Sequence, residues 1–247
     1  MTEPSPSTRA PFLTAEWRHL AMLNYEVDPA ILSPWLPAGT ELDPWNGKTL
    51  VSLVGFRFLN TRVKGLVVPW HRHFEEVNLR CYVRHRAADG WRRGVVFIRE
   101  LVPKAGIAMV ARTLYEEPYL AVPMNHRIEF ADGLPRLVEY GWTFRKRSCL
   151  LRVATSGDWQ PLQPGGEAEF ITEHYWGYTK RRDGSTSEYE VAHPPWRVMT
   201  VTRADFDCDV AGLYGESFRD YLSGEPVSAL LAEGSPITVY QGRKLPR

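Results

Sequence analysis

Four turn dipeptides constrain the fold of this chain more than any other feature of its sequence: Asn46-Gly47, Asp89-Gly90, Asp132-Gly133 and Asp183-Gly184. Each supplies residues that tolerate positive φ, as tight hairpin turns require, and each lies between strand-like segments. Three of them predict hairpins, which pair 74–84 with 94–101, 127–130 with 137–144, and 174–180 with 188–193. Further strands are predicted at 17–25, 50–60, 148–154 and 196–202, with a last pair at 227–232 and 237–240. The fold class is therefore mainly β, an antiparallel sandwich or barrel.

Helical signals are few. Asp28-Pro29 predicts a short helix that Pro37 ends, and Pro103 predicts a second, which ends at Pro118. A third is predicted within 210–222. We expect one domain over residues 12–247, preceded by a mobile, polar and proline-rich arm at residues 1–11.

The charge balance excludes two classes of partner. The 247 residues carry 30 Lys+Arg and 29 Asp+Glu, a net charge of +1, so we expect neither nucleic acid nor an anionic membrane as a partner. No apolar run approaches the roughly 20 residues of a membrane span. The N-terminus lacks the apolar stretch of a signal peptide, so we expect a cytoplasmic protein. Three widely spaced cysteines indicate reduced thiols and not a disulfide framework.

The predicted strand at 74–84 has two different faces. Val77, Leu79, Cys81 and Val83 share one face, and Phe74, Glu76, Asn78, Arg80, Tyr82 and Arg84 share the other. The polar face meets either water or the polar lumen of a closed barrel that holds a ligand. The segment 50–60 favours closure, because both of its faces are apolar.

Few patterns point directly to chemistry. His71 and His73 share a strand face that Glu75 continues, which resembles the start of a metal site, with a solvated loop-end cluster as the alternative. No third histidine is placed by spacing to complete a metal site, so no metal is expected. We find no nucleophile elbow and no phosphate-binding loop, and no cofactor is expected. Lys104 lies at a strand-to-helix junction and is interpreted as an exposed residue.

Several motifs together resemble one known family. They are Trp17-Arg18, Leu36-Pro37, the strand Glu76-Val77-Asn78-Leu79-Arg80-Cys81-Tyr82-Val83, Ala111-Arg112 with Pro118-Tyr119, and His193-Pro194-Pro195-Trp196. In this order and spacing they resemble the uncharacterised YqjF-like family within the acetoacetate decarboxylase-like superfamily, over residues 12–245. The resemblance implies a conical antiparallel β-barrel with a ligand cavity inside.

The resemblance also implies which functional residues are kept and which are lost. Aligning Arg112 with the arginine of the decarboxylases places Tyr119 where their Schiff-base lysine stands, with Lys104 out of register. Schiff-base catalysis needs a nucleophilic amine, so we expect no such activity. Arg18 falls at the position of a cavity arginine and Glu76 at that of a cavity carboxylate, whereas a second family carboxylate falls near Ser52.

We therefore expect Glu76 and Tyr119 to be catalytic and Arg18, Arg80 and Arg112 to bind substrate. An arginine that holds an anion beside a Glu and a Tyr that exchange protons suits a small carboxylate or carbonyl compound. The protein is then a small-molecule-binding barrel, either an enzyme or, alternatively, a non-catalytic binding or regulatory module. A second alternative is a metal-dependent enzyme that uses His71 and His73.

Overall fold

The computed structural model describes residues 9–67, 71–103 and 116–245. Strands dominate this part of the chain. They are β1 (Pro11–Glu26), β2 (Thr40–Leu42), β3 (Leu50–Val63), β4 (Leu66–Val67), β5 (Phe74–Ala87), β6 (Gly90–Val102), β7 (Tyr119–Ala121), β8 (Met124–Ala131), β9 (Leu134–Phe144), β10 (Arg147–Gln160), β11 (Trp176–Lys180), β12 (Thr186–Ala192), β13 (Val198–Asp207), β14 (Ser228–Tyr240) and β15 (Arg243–Lys244). The helices are short: α1 (Glu167–Thr172), α2 (Val210–Tyr214), α3 (Arg219–Leu222), and 3-10 turns at Pro29–Trp35 and Glu216–Phe218.

Seven of the described strands close into a barrel. Their order is β12-β11-β6-β5-β3-β1-β14, and β12 pairs again with β14 through Val191–Val239 and Ala192–Thr238. Neighbours in this ring are antiparallel except β6 and β11. Closure removes the free strand edges that an open sheet would expose. The prediction of a mainly β barrel is confirmed, as are the hairpins at Asp89-Gly90, Asp132-Gly133 and Asp183-Gly184.

The remaining large strands cover the outside of this ring. From β14 the sheet continues through β13, β10, β9 and β8. Tyr140 of β9 donates a hydrogen bond to the backbone oxygen of His19 at 2.8 Å and lies so close to β3 that a Cβ on Gly55 would stand 2.6 Å from its ring. Residues 50–56 of β3 are therefore buried on both faces, which explains why 50–60 is apolar on both sides.

The inside of the barrel is lined by aromatic and polar side chains. Phe74 and Tyr82 of β5 belong to an interior cluster with Phe56, Trp196 and Phe170 of α1. Val77, Leu79 and Val83 are fully buried in the outer cluster instead. Because side chains alternate along a strand, Glu76, Asn78 and Arg80 face the interior with Phe74 and Tyr82, as the sequence predicts.

The prediction of a last strand pair was wrong. Residues 228–240 form one continuous strand, β14, because Gly234 adopts φ +78° and lets the strand bend without ending. Opposite it, His19 of β1 has φ +56°, and the pairing of β1 with β3 shifts between Arg18 and Ala21. This bulge exchanges the two faces of β1: Trp17 points inward before it and Leu20 points inward after it.

The helices depart further from expectation. The turn capped by Asp28 is a 3-10 helix, and 210–222 holds α2, a 3-10 turn and α3 and not one helix. The helix predicted after Pro103 lies outside the described residues, and α1 was not predicted. Residues 9–11, which were expected to belong to a mobile arm, are held in the fold, because β1 begins at Pro11 and Arg9 pairs with Glu188. The rest of the expected arm lies outside the described residues. The three cysteines are free and buried. In the described part of the chain no helix is long and apolar enough to cross a bilayer.

Candidate functional site

Three buried carboxyl groups meet at one end of the barrel interior. Glu76 stands near the start of β5 and Glu100 near the end of the antiparallel β6, so both occupy the same end. Asn78 lies directly across from Glu100, and Tyr119 of β7 is paired with Glu100 on the other side. Glu117 precedes β7 and completes the group, which we call the acid cluster: Glu76, Glu100, Glu117 and Tyr119.

Hydrogen bonds from neutral side chains hold the acid cluster. The Asn78 amide donates to Oε1 of Glu76 at 2.9 Å, and the Tyr119 hydroxyl donates to Oε2 at 3.4 Å. On β12, Tyr189 donates its hydroxyl to Oε1 of Glu117 at 2.6 Å. Donors from three strands, β5, β7 and β12, thus fix Glu76 and Glu117 in place.

Burial decides the protonation of the acid cluster. It raises the pKa of Glu76 to about 8, against the smaller, opposing effect of the Asn78 hydrogen bond. Burial likewise raises the pKa of Glu117 to about 7 and that of Glu100 well above its usual range, where the neighbouring Glu117 and Glu76 add to the effect. The pKa of Tyr119 is also well above its ordinary value, again chiefly through burial. At neutral pH the cluster therefore combines groups that keep their protons with others that titrate, as acid–base catalysis requires.

Arg80 brings a positive charge into the same interior. Its Nη2 donates to the backbone oxygen of Ile171 at 3.0 Å, and its guanidinium lies 5.6 Å from the centre of the Tyr82 ring. Arg80 forms no ion pair with the described carboxylates. A half-buried guanidinium without a direct ion pair favours binding of an external anion.

Further polar atoms of the interior lack hydrogen-bond partners in the described part of the chain. They are Nε1 of Trp17, Oδ1 of Asn78, Nε of Arg80 and Oε2 of Glu100. Each buried polar atom left unpaired costs about 1–3 kcal/mol. The set offers both donors and acceptors, so a small polar molecule can satisfy it better than an apolar one.

Arg18 does not join this interior. Its Nη2 pairs with Oε2 of Glu16 at 2.8 Å and its Nη1 donates to the backbone oxygen of Gly234 at 3.2 Å, with 29% of its side chain exposed. The interior position belongs to Trp17, whose ring packs 5.3 Å from that of Phe56. The expectation that Arg18 lies in the lumen was wrong because the bulge at His19 reverses which residues of β1 face inward.

Two other candidates cannot be placed. Arg112 and Lys104 lie outside the described residues. The five described lysines are all exposed, and they are Lys48, Lys64, Lys146, Lys180 and Lys244. None of these five can supply the buried amine that Schiff-base chemistry needs.

Ser52 lies inside the barrel, where the resemblance places a second carboxylate. Its hydroxyl donates to Oδ1 of Asn24 at 2.6 Å and lies 2.5 Å from the hydroxyl of Tyr82. Ser52 and Asn24 are fully buried. This position therefore carries a neutral hydrogen-bond chain and no carboxylate. The carboxyl groups that accompany Glu76 in the interior are those of Glu100 and Glu117.

His73 and Glu75, which the sequence places on one strand face, have different hydrogen-bond partners. Nδ1 of His73 accepts the backbone N–H of Asn60 at 3.3 Å, and Glu75 pairs with Nδ1 of His126 at 2.5 Å. Among the described residues no group of three or more His, Cys, Asp or Glu side chains is arranged to hold a metal ion.

Sequence reasoning missed Glu100, Glu117 and Tyr189. Glu100 follows an irregularity in the pairing of β5 with β6. The alternation of side chains along β6 therefore does not show from the sequence that Glu100 faces the interior. Glu117 lies outside any predicted strand. The alternation of side chains along β12 could have indicated that Tyr189 faces inward. Only closure of the ring brings Tyr189 to Glu117.

Comparison with known proteins agrees with this architecture. The sequence model of a family described as an uncharacterised conserved protein, DUF2071, matches residues 14–236. The uncharacterised protein YqjF of Bacillus subtilis (strain 168) is 28% identical over 193 residues, which are 75% of this chain and 74% of YqjF.

Two solved structures share the fold. The acetoacetate decarboxylase of Legionella pneumophila superposes with a TM-score of 0.67 at 14% identity, covering 100% of this chain and 92% of its own. The enduracididine biosynthesis enzyme MppR, in complex with pyruvate, has a TM-score of 0.67 at 14% identity, covering 99% and 93%. At such identities the likeness concerns the fold, which is that of the acetoacetate decarboxylase-like proteins.

Proposed function

The chain belongs to the DUF2071 family of uncharacterised conserved proteins, and from the interior of its barrel we propose that it binds a small oxo acid and moves a proton on it. The observation that carries this proposal is Arg80, a guanidinium without an ion-pair partner in the described part of the chain, on the same face as Glu76. An interior of this kind matches a ligand with an anionic end and a carbonyl group. The pyruvate bound by the structural neighbour MppR belongs to this class.

Each group has a distinct part in the proposed reaction. Arg80 binds the carboxylate of the oxo acid. The Glu76 carboxylate removes a proton from the carbon beside the carbonyl, so the C–H bond breaks and its electron pair moves into an enolate. The Tyr119 hydroxyl, which keeps its proton because its pKa is raised, donates a hydrogen bond to the enolate oxygen. Return of a proton from Glu76 completes the exchange.

Proton exchange on pyruvate tests this proposal. We expect the methyl signal of pyruvate to disappear from the proton NMR spectrum in D2O when the protein is present. The rate should rise with pH toward about 8, because Glu76 acts as a base only when ionised. Calorimetry on the same samples measures binding separately.

Three variants separate the roles. Glu76→Gln should bind pyruvate and exchange no protons, because it keeps the shape and loses the basicity. Arg80→Ala should weaken binding at least tenfold. Arg18→Ala, whose guanidinium is paired on the outer face, is the matched control and should behave as the wild type. Undiminished binding by Arg80→Ala would contradict the proposal, and binding without exchange in the wild type would favour a non-catalytic binding module.

A further inference from the structure

A basic cleft lies at the rim of the barrel. It encloses about 360 Å³ between β12, β15 and the ends of β1 and β3. Every charged side chain that lines this cleft is cationic, and these are Lys64, Arg181, Arg243 and Lys244. Ser187, Gln241, Phe12 and Val63 contribute further walls.

The cleft adjoins the acid cluster. Ser187 and Tyr189 alternate on the same face of β12, about 7 Å apart along the strand. Tyr189 donates to Glu117 of the acid cluster, and Arg181 donates to Oγ of Ser187 at 3.1 Å while pairing with Glu116 at 2.7 Å. The cleft and the acid cluster thus use neighbouring residues of β12.

The charges behind the cleft leave it positive. Glu188 is fully buried, and its Oε1 alone pairs with three arginines: Arg9 at 3.2 Å, Arg92 at 2.9 Å and Arg243 at 2.6 Å. Arg92 also pairs with Asp89, so three guanidinium groups face two carboxylates. Lys244 pairs with Asp183 at 2.7 Å, whereas Lys64 is exposed and forms no ion pair within the described ranges. Such a surplus attracts anions to the mouth of the barrel.

We propose that this cleft binds a second anionic group of the substrate, a carboxylate or a phosphate at the end remote from the carbonyl. This inference rests on the proposed function, in which Arg80 binds the first carboxylate. It specifies the substrate class: a dianionic oxo acid and not a simple one such as pyruvate. Coulombic attraction favours binding of the second anion where the lining is cationic.

Pairs of ligands that differ only in the second charge test the substrate class. 2-Oxoglutarate and 2-oxopentanoate share their chain length, as do 2-oxoadipate and 2-oxohexanoate. We expect calorimetry to give at least a tenfold lower Kd for the dianion of one or both pairs. Inorganic phosphate, titrated into Arg80→Ala, probes the cleft without using Arg80.

The double variant Lys64→Gln/Lys244→Gln removes two exposed charges and should abolish both the preference for dianions and the binding of phosphate. Its matched control, Lys146→Gln, removes an exposed charge from the turn between β9 and β10 and should change neither. Equal affinity within both ligand pairs, or a preference that survives in the double variant, would overturn the inference while pyruvate binding still supports the proposed function. If no oxo acid binds, the proposed function fails, and comparing phosphate binding by Arg80→Ala with that by the double variant decides whether the cleft is an anion site.

Discussion

At the scale of single residues, the contrast between Arg18 and Arg80 supports the proposed interior anion site. Both are strand residues with partly exposed side chains, but Arg18 has a carboxylate partner and Arg80 has none among the described residues. The desolvation cost of a guanidinium is offset by a nearby negative charge. For Arg18 the chain supplies that charge through Glu16, whereas for Arg80 a ligand would supply it.

The lysine inventory leads to a prediction about covalent chemistry. We expect borohydride reduction in the presence of acetoacetate or pyruvate to leave the intact mass unchanged, because Tyr119 offers no amine and the five described lysines are exposed. Mass spectrometry of the intact protein measures this directly. A substrate-dependent adduct that maps to Lys104 would contradict it and show that this lysine serves the site.

At the scale of elements, the bulge shared by β1 and β14 controls the lining of the barrel. His19 has φ +56° and Gly234 φ +78°, and Arg18 pairs with Gly234 across the two strands. The inserted residue bends both strands and places Trp17 inside. The position of Gly234 requires glycine for two reasons, its backbone conformation and the close approach of β1.

Gly234→Ala should therefore be strongly destabilising. A Cβ at this position would stand 2.0 Å from the backbone oxygen of Trp17, which adds a clash to the strain of positive φ. We expect a loss of about 3 kcal/mol or more in the free energy of unfolding, measured by urea denaturation. Gly184→Ala is the matched control, with φ +77° and no atom within 4 Å of the added Cβ, and should cost only about 1–2 kcal/mol. Equal losses in the two variants would show that β14 moves freely away from β1.

At the scale of the whole molecule, ring closure and the covering strands keep the acid cluster away from water. Glu76 and Glu100 are only 3% and 1% exposed. Both faces of β5 are covered, the inner by the barrel and the outer by β9 and β10. The raised pKa values of the cluster are therefore a property of the architecture, because no local sequence pattern would desolvate three carboxyl groups together.

This desolvation predicts a specific dependence of stability on pH. A carboxyl group whose pKa is higher in the folded than in the unfolded state stabilises the fold fully below the unfolded pKa, and this contribution is lost as the pH rises through the folded pKa. For Glu76 the window runs from about pH 4.5 to about pH 8. We expect the free energy of unfolding to fall across it, by up to about 1.4 kcal/mol per pH unit for each group.

Glu76→Gln should flatten this dependence, as urea titrations at pH 5, 6, 7 and 8 would show. Glu216→Gln, at an exposed position where pairing with Arg219 lowers the pKa of Glu216, should leave the slope unchanged. A stability that stays constant or rises from pH 5 to pH 8 would indicate that the cluster is neutralised by other means.

Much of the architecture follows from local features of the sequence. The turn dipeptides determined the hairpins because each supplies the positive φ that its turn requires. The alternation in β5 determined which side chains share a face, and only the family resemblance predicted that the face with Glu76, Asn78 and Arg80 points inward. The motifs shared with the family predicted that the strands form a barrel.

Only the tertiary structure decided which residues meet at the end of the barrel. Glu100, Glu117 and Tyr189 come from elements distant in sequence, and ring closure through β12 and β14 brings them together. The orientation of Arg18 depended on one inserted residue at His19, which exchanges the faces of a strand without leaving a mark in the hydrophobic pattern. Local sequence determines the conformation of each turn and strand, whereas strand register and the burial of charge depend on long-range pairing, which the local pattern does not specify.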